Sequence, residues 1–122
     1  MERIREIHFY KSYFLDFYEE QEEKVKDKID RVLFVVSVTE RIPLKFFKHM
    51  EGADGLYEIR ITHAGNIYRV FSCFDEGKLV VLFNGFQKKS QKTPHGEIQK
   101  ALKIKAEYFI EKLKSKGHGG KK

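Results

Sequence analysis

The sequence predicts one domain of the α+β class, and three observations lead to this prediction. A chain of 122 residues with 41% hydrophobic residues has the length and composition of a single globular domain. Apolar residues recur at helical spacing over about residues 12–39 and again after Pro94. Between them, three short segments are rich in β-branched and aromatic residues, as strands are. We expect the domain to span residues 1–114 and to be followed by a disordered basic tail, 115–122.

The first third of the chain is expected to form a strand and then helical structure. Residues 4–10 have the apolar and aromatic content of a short strand, and Ser12 is suited to cap a helix. Six apolar side chains then follow steps of three, four and seven residues: Phe14, Tyr18, Val25, Ile29, Val32 and Val36. This spacing predicts one long helix or a helical hairpin over about 12–39, including the β-branched segment 32–38. Pro43 ends it, because the residue before a proline disfavours the helical conformation.

The middle of the chain predicts three consecutive strands. Pro43 is placed to open a short helix with the sequence PLKFFKHM, and the glycine-containing segment GADG then forms a loop. Strand-like segments follow at residues 56–61, 67–74 and 78–86. The intervening THAGN and DEG are typical of turns. The sequence therefore predicts an antiparallel meander.

A final helix is predicted after the meander. Thr93 and Pro94 are suited to the cap and the first helical position, respectively. Five apolar residues then share one face up to a predicted end near Lys114: Ile98, Ala101, Leu102, Phe109 and Leu113.

The positive charge is concentrated in the last third of the chain. Residues 1–85 contain 13 Lys and Arg against 15 Asp and Glu, whereas residues 86–122 contain 11 Lys against 3 Glu. Such a basic concentration is expected of a protein that contacts a polyanion, although a solvated lysine-rich helix has the same composition.

Several classes of protein are excluded or disfavoured by missing motifs. Cys73 is the only cysteine, and the five histidines lie far apart, so we expect no metal centre and no cofactor. The chain has no GxGxxG, GxxxxGK[ST] or GxSxG motif. No apolar run approaches the roughly 20 residues of a membrane span, and the N-terminus does not resemble a signal peptide. We therefore expect a cytoplasmic protein without membrane association. The default role of Cys73 is that of a buried thiol.

Two arginines lie within the predicted strands. Side chains alternate across a strand, so Arg60 shares a face with Glu58, and Arg69 lies in mid-strand among apolar neighbours. A buried guanidinium requires a partner, and Glu58 or Glu6 could form a salt bridge with it. An open face on which both arginines bind a phosphate explains them equally well.

The segments LYEIRI and GNIYRVFSCFDEGKLVVLFNGFQKKSQKTPHGEIQKAL resemble the Gp49-like or HigB branch of the RelE/ParE toxin superfamily. The upstream ERIPLKFFKHMEGADGLYE is similar as well, and the resemblance covers about residues 25–110. It implies a RelE-like fold, in which N-terminal helices pack on a small twisted antiparallel sheet. It also implies a toxin of a type II toxin–antitoxin system that cleaves mRNA on the ribosome without metal. The implied partners are mRNA and a cognate antitoxin, expected to be a helix-turn-helix DNA-binding protein.

The resemblance also implies site residues. Arg69 corresponds to the family's core strand arginine and Arg60 to a basic position on the preceding strand, so both are expected to bind phosphate and stabilise the transition state. Lys88, Lys89 and Lys92 lie where relatives carry further basic groups. Each is expected to hold RNA, and Lys88 or Lys89 is a candidate to protonate the leaving oxygen.

The general base is left open by the sequence. Glu58, His63, His95 and a lysine are all candidates, and His95 is attractive because histidine titrates near neutral pH. Tyr108 is expected to pack rather than to act in catalysis. Two other functions remain: a non-catalytic module that binds nucleic acid or antitoxin, and a ParE-like gyrase inhibitor with the same fold.

Overall fold

The computed structural model describes residues 2–89 and 94–120 and confirms the α+β class. Its elements, in chain order, are β1 (Glu6–Phe9), α1 (Tyr13–Glu19), α2 (Glu23–Val38), β2 (Phe47–His49), β3 (Tyr57–His63), β4 (Asn66–Asp75), β5 (Leu79–Lys88) and α3 (His95–Gly120). The strands form one sheet in the order β1-β5-β4-β3-β2. Helices α1 and α2 pack on one face of this sheet, and α3 packs on the other.

The N-terminal helices form the hairpin alternative of the prediction. The break falls between Glu19 and Glu23, and the β-branched segment up to Val38 is helical as predicted. The predicted apolar stripe is the buried one, since Phe14, Ile29 and Val36 are almost completely inaccessible to solvent. They pack on strand residues such as Ile59 and Val70. Burial of this stripe is the main source of stability for two helices of this length.

The predicted meander is confirmed, but the sheet is mixed rather than antiparallel. Strands β3, β4 and β5 pair antiparallel in succession. Strand β1 pairs parallel with β5, with Glu6 opposite Leu79 and Phe9 opposite Leu82. A parallel neighbour requires a long crossover connection, which α1, α2 and the meander provide here. Such a non-local pairing leaves no local signal in the sequence.

The short helix predicted for PLKFFKHM is wrong. After a turn in which Pro43 accepts hydrogen bonds from the N–H groups of Phe46 and Phe47, the chain forms β2, which pairs antiparallel with Tyr57–Ile59 of β3. Phe47 is buried in the core beneath α2 and stacks on Tyr57. The ladder and this packing outweigh the local helical preference.

The final helix α3 is longer than predicted. It begins at His95, directly after Pro94, whose carbonyl accepts a hydrogen bond from the N–H of Ile98. Ala101 is buried against strand residues such as Phe71. The helix continues to Gly120 rather than ending near Lys114, so the backbone of 115–120 is helical where we predicted a disordered tail. The predicted cap Thr93 lies outside the described residues.

Candidate functional site

The two strand arginines lie side by side. Arg60 of β3 and Arg69 of β4 are directly paired in the register, so their side chains emerge next to each other on the face that α3 packs on. Arg69 is buried, with 6% of its surface exposed, and Arg60 is half-buried. The Nε atom of each is buried without a hydrogen-bond partner in the part of the chain that the structure describes. Two arginines, each with an Nε that has no partner among the described residues, therefore lie side by side on the sheet.

A carboxylate holds one of these arginines. Arg69 Nη1 donates to Glu58 Oε1 at 2.9 Å, and both side chains are buried. Of the alternatives the sequence left open, the salt bridge to Glu58 is therefore present. Burial lowers the pKa of Arg69, with a contribution from Arg60, while Glu58 acts in the opposite direction. Arg69 remains protonated, because an arginine does not lose its proton in a protein.

Two lysines complete the group, which we call the cationic cluster: Lys48, Arg60, Arg69 and Lys88. Lys88 at the end of β5 lies opposite Ile67, on the same face as Arg69. Its pKa is lowered, first by burial and then by Arg69, Arg60 and Lys48, whereas Glu58 raises it. Lys48 lies opposite Glu58 in the ladder. Sequence reasoning missed Lys48, because the segment that contains it was predicted to be helical.

The cluster places several cations around the single carboxylate of Glu58. Neighbouring like charges repel each other, and the repulsion is relieved when an anion binds between them. A guanidinium offers a planar fork of donors that matches two phosphate oxygens. The arrangement is thus chemically suited to bind a phosphate and to stabilise additional negative charge on it.

The remaining predicted site residues lie around this cluster or outside it. Lys89 follows Lys88, and His95 begins α3; both are exposed, on either side of residues 90–93. Lys92, the third predicted lysine, lies outside the described residues. The start of α3 is tied to the sheet, because the buried Asn84 donates through Nδ2 to the Glu97 carbonyl at 3.4 Å and to Glu97 Oε1 at 3.2 Å. This contact keeps the first turn of the helix against β5.

One candidate base lies on the wrong face. His63 ends β3 in alternation with Ile59 and Ile61, so it lies on the α1/α2 face, away from Arg60. There it lines a shallow cavity of about 240 Å³ with α2 residues, among them Arg31. Residues 58 and 60 share one face of β3, and residue 63 lies on the other. The strand alternation in the sequence is therefore sufficient to separate His63 from Glu58 and Arg60.

Tyr108 and Cys73 have structural environments. Tyr108 donates from its hydroxyl to Asp75 Oδ2 at 2.6 Å, and Lys112 Nζ donates to Oδ1 of the same carboxylate at 2.6 Å. Burial and the contact with Asp75 raise the pKa of Tyr108. Burial raises the pKa of the Cys73 thiol to about 11. Within residues 2–89 and 94–120, no three His, Cys, Asp or Glu side chains are grouped as metal ligands would be.

The fold and the cluster define a small α+β protein with a cationic sheet face. The model of the phage-derived protein Gp49-like family (DUF891) matches residues 16–106 of the chain. The chain therefore belongs to the Gp49-like family, which confirms the resemblance found in the sequence. This membership is compatible with the toxin of a toxin–antitoxin module, whose partner would be an antitoxin.

No curated protein is measurably similar to the chain in sequence. Among the described helices, none combines the length and apolar character that crossing a membrane requires.

Proposed function

We propose that this protein is the toxin of a type II toxin–antitoxin system and that it cleaves mRNA on the ribosome. In this reaction the ribose 2′-hydroxyl attacks the adjacent phosphorus and the 5′-oxygen of the next nucleotide leaves. The observation that carries the proposal is the direct pairing of Arg60 and Arg69, with Lys88 on the same face, in a chain of the Gp49-like family. The proposed partners are mRNA in the cytoplasm and a helix-turn-helix antitoxin that blocks the toxin.

Arg60 and Arg69 are proposed to bind the scissile phosphate. Attack on phosphorus adds negative charge to the non-bridging oxygens, so donors aimed there bind the transition state more tightly than the substrate. The salt bridge to Glu58 fixes the Arg69 side chain through Nη1, while its Nε remains without a partner among the described residues. Preorganisation of this kind lowers the cost of aligning the charges during the reaction.

Proton transfer is proposed to involve Lys88 and one of two bases. The lowered pKa of Lys88 makes its ammonium group a better proton donor for the leaving oxygen. Glu58 lies within the cluster and His95 lies at the start of α3, so both remain candidates to take the proton of the 2′-hydroxyl. Lys89 and Lys92 are proposed to hold RNA by charge rather than to react.

The proposal is tested by brief expression in bacteria and mapping of new mRNA 5′ ends across translated transcripts. Arg60→Ala removes a half-buried cation, and the pair Glu58→Gln/Arg69→Gln removes the buried ion pair without leaving one charge unpaired. We expect codon-phased cuts with the wild type and their loss with both variants. Arg31→Ala is the matched control, because this arginine is exposed on α2.

Three other outcomes would change the assignment of the site or of the function. A folded Arg60→Ala protein with wild-type cuts would exclude Arg60 from the reaction. Growth arrest without cuts but with topoisomerase inhibition would identify a ParE-like toxin. RNA binding that weakens steeply with salt, without arrest or cuts, would identify a non-catalytic binding module.

A further inference from the structure

An aromatic ring continues the row of arginines across the sheet. Arg60 pairs with Arg69, and Arg69 pairs on its other side with Phe86 of β5. Directly paired residues share a face, so the row Arg60, Arg69 and Phe86 runs perpendicular to three adjacent strands. Lys88 lies two residues beyond Phe86, on the same face. The ring therefore borders the cationic cluster directly.

The ring of Phe86 is supported from one side. It stacks on Phe71, with ring centroids 5.6 Å apart and planes inclined by 29°. Phe71 itself is completely buried in the core beneath α3, which fixes the position of the upper ring. Phe86 is only half-buried. A rigid ring with a buried support and a partly open surface is a preorganised stacking platform, because little side-chain entropy is lost when a second ring packs on it.

We propose that Phe86 stacks on an unpaired RNA base whose neighbouring phosphate lies on Arg60 and Arg69. The inference rests on the proposed function and adds to it a base-binding subsite. Proteins that bind single strands combine a positively charged groove with aromatic rings on which bases stack, and both features adjoin here. A base within a duplex has its faces covered by its neighbours, so the subsite selects unpaired RNA. Stacking tolerates any base, and we therefore expect weak base preference at this position.

The test uses a short single-stranded RNA with 2-aminopurine at one position. That nucleotide and the one before it carry 2′-deoxyribose, so that neither phosphate next to the 2-aminopurine can be cleaved. Stacking on an aromatic ring quenches 2-aminopurine, so its fluorescence reports the proposed contact and does not require catalysis. The full-length protein is titrated with this RNA at low salt, and both quenching and affinity are measured. We expect quenching with the wild type and with Phe86→Tyr, which keeps the aromatic ring.

Phe86→Leu keeps an apolar side chain over Phe71 but removes the aromatic surface. We expect this variant to lose the quenching at saturation and to bind about tenfold more weakly. Phe34→Leu is the matched control, because Phe34 is 50% exposed on α2, on the opposite side of the sheet. Its affinity and quenching should equal those of the wild type.

The results separate failure of the subsite from failure of the proposed function. If Phe86→Leu retains wild-type quenching and affinity while Arg60→Ala weakens binding, the stacking proposal is wrong and the phosphate site stands. If Arg60→Ala binds as the wild type does while Phe86→Leu loses quenching, the stacking subsite stands and the phosphate assignment fails. Absence of both binding and quenching with the folded wild type would overturn the stacking subsite, whereas the proposed function is decided separately by the mapping of mRNA 5′ ends in cells.

Discussion

The two faces of the sheet differ in what they bury. The face beneath α1 and α2 buries a continuous apolar cluster that includes Phe14, Ile29 and Ile59. The face beneath α3 buries a smaller apolar cluster, and it also carries Glu58, Arg69 and Asp75, which are all the buried charged residues among those described. Burying a charge costs free energy unless it is paired. One face is therefore built for stability, and the other gives up stability to hold paired, buried charges.

The largest test of this difference is Phe14→Ala. Phe14 is 1% exposed in the cluster beneath α1 and α2, and removing its ring leaves a cavity, so we expect the free energy of unfolding to fall by about 4 kcal/mol. Urea unfolding followed by circular dichroism measures this change. Phe34→Ala is the matched control, because Phe34 is 50% exposed and should cost much less. Equal losses for the two variants would show that burial of Phe14 in this cluster does not stabilise the fold.

The sequence predicts those features of the two sheet faces that depend on local residue patterns. The helical stripe and the strand alternation are local, and they correctly predicted that Phe14 lies on the apolar face of the helices and that Arg60 shares a face with Glu58. The same alternation separates His63 from the arginines.

The elements that the sequence did not predict depend on distant partners. Strand β2 exists because its three residues pair with β3, whereas Phe46 and Phe47 fit a helix equally well when considered alone. Lys48 was missed for this reason. The parallel pairing of β1 with β5 joins the two ends of the sheet-forming chain. The row from Arg60 to Phe86 likewise depends on the register of three strands, which hydrophobic pattern alone does not determine.

The second test probes the buried ion pair. Arg69→Ala leaves Glu58 as a buried carboxylate without its 2.9 Å partner, so we expect the free energy of unfolding to fall by about 3 kcal/mol. Replacing both residues in Glu58→Met/Arg69→Met also removes the buried carboxylate and should recover much of this loss in the same urea assay. If the double variant is less stable than Arg69→Ala, the pair itself is a net source of stability, and the two faces differ less in their contribution to stability.

The third test compares one hydrogen bond on each face. Tyr108 donates to the buried Asp75 beside α3, whereas Tyr18 donates to Asp30 at an exposed position beside α2. We expect Tyr108→Phe to cost about 1.5 kcal/mol, because it weakens the solvation of a buried carboxylate, and Tyr18→Phe to cost about 0.5 kcal/mol. Thermal unfolding of both variants gives the order. A larger loss for Tyr18→Phe would contradict the assignment of polar burial to the α3 face.

The smallest effect is a pH dependence that arises from Cys73 on the α3 face. Burial raises the pKa of its thiol from 9.0 to about 11, so the folded protein holds the proton in a range where the unfolded chain releases it. This contribution to stability is fully present below pH 9 and is lost as the pH rises toward 11. Between pH 8 and pH 10 we expect the free energy of unfolding to fall by about 1 kcal/mol from this group alone.

Cys73→Ala should reduce the decrease by that amount in urea unfolding at the two pH values. The comparison with the variant isolates the thiol, because the raised pKa values of Tyr10 and Tyr18, each about 12, add a decrease of the same sign at higher pH. An identical decrease in the wild type and Cys73→Ala would show that the thiol is not shielded from water beneath α3.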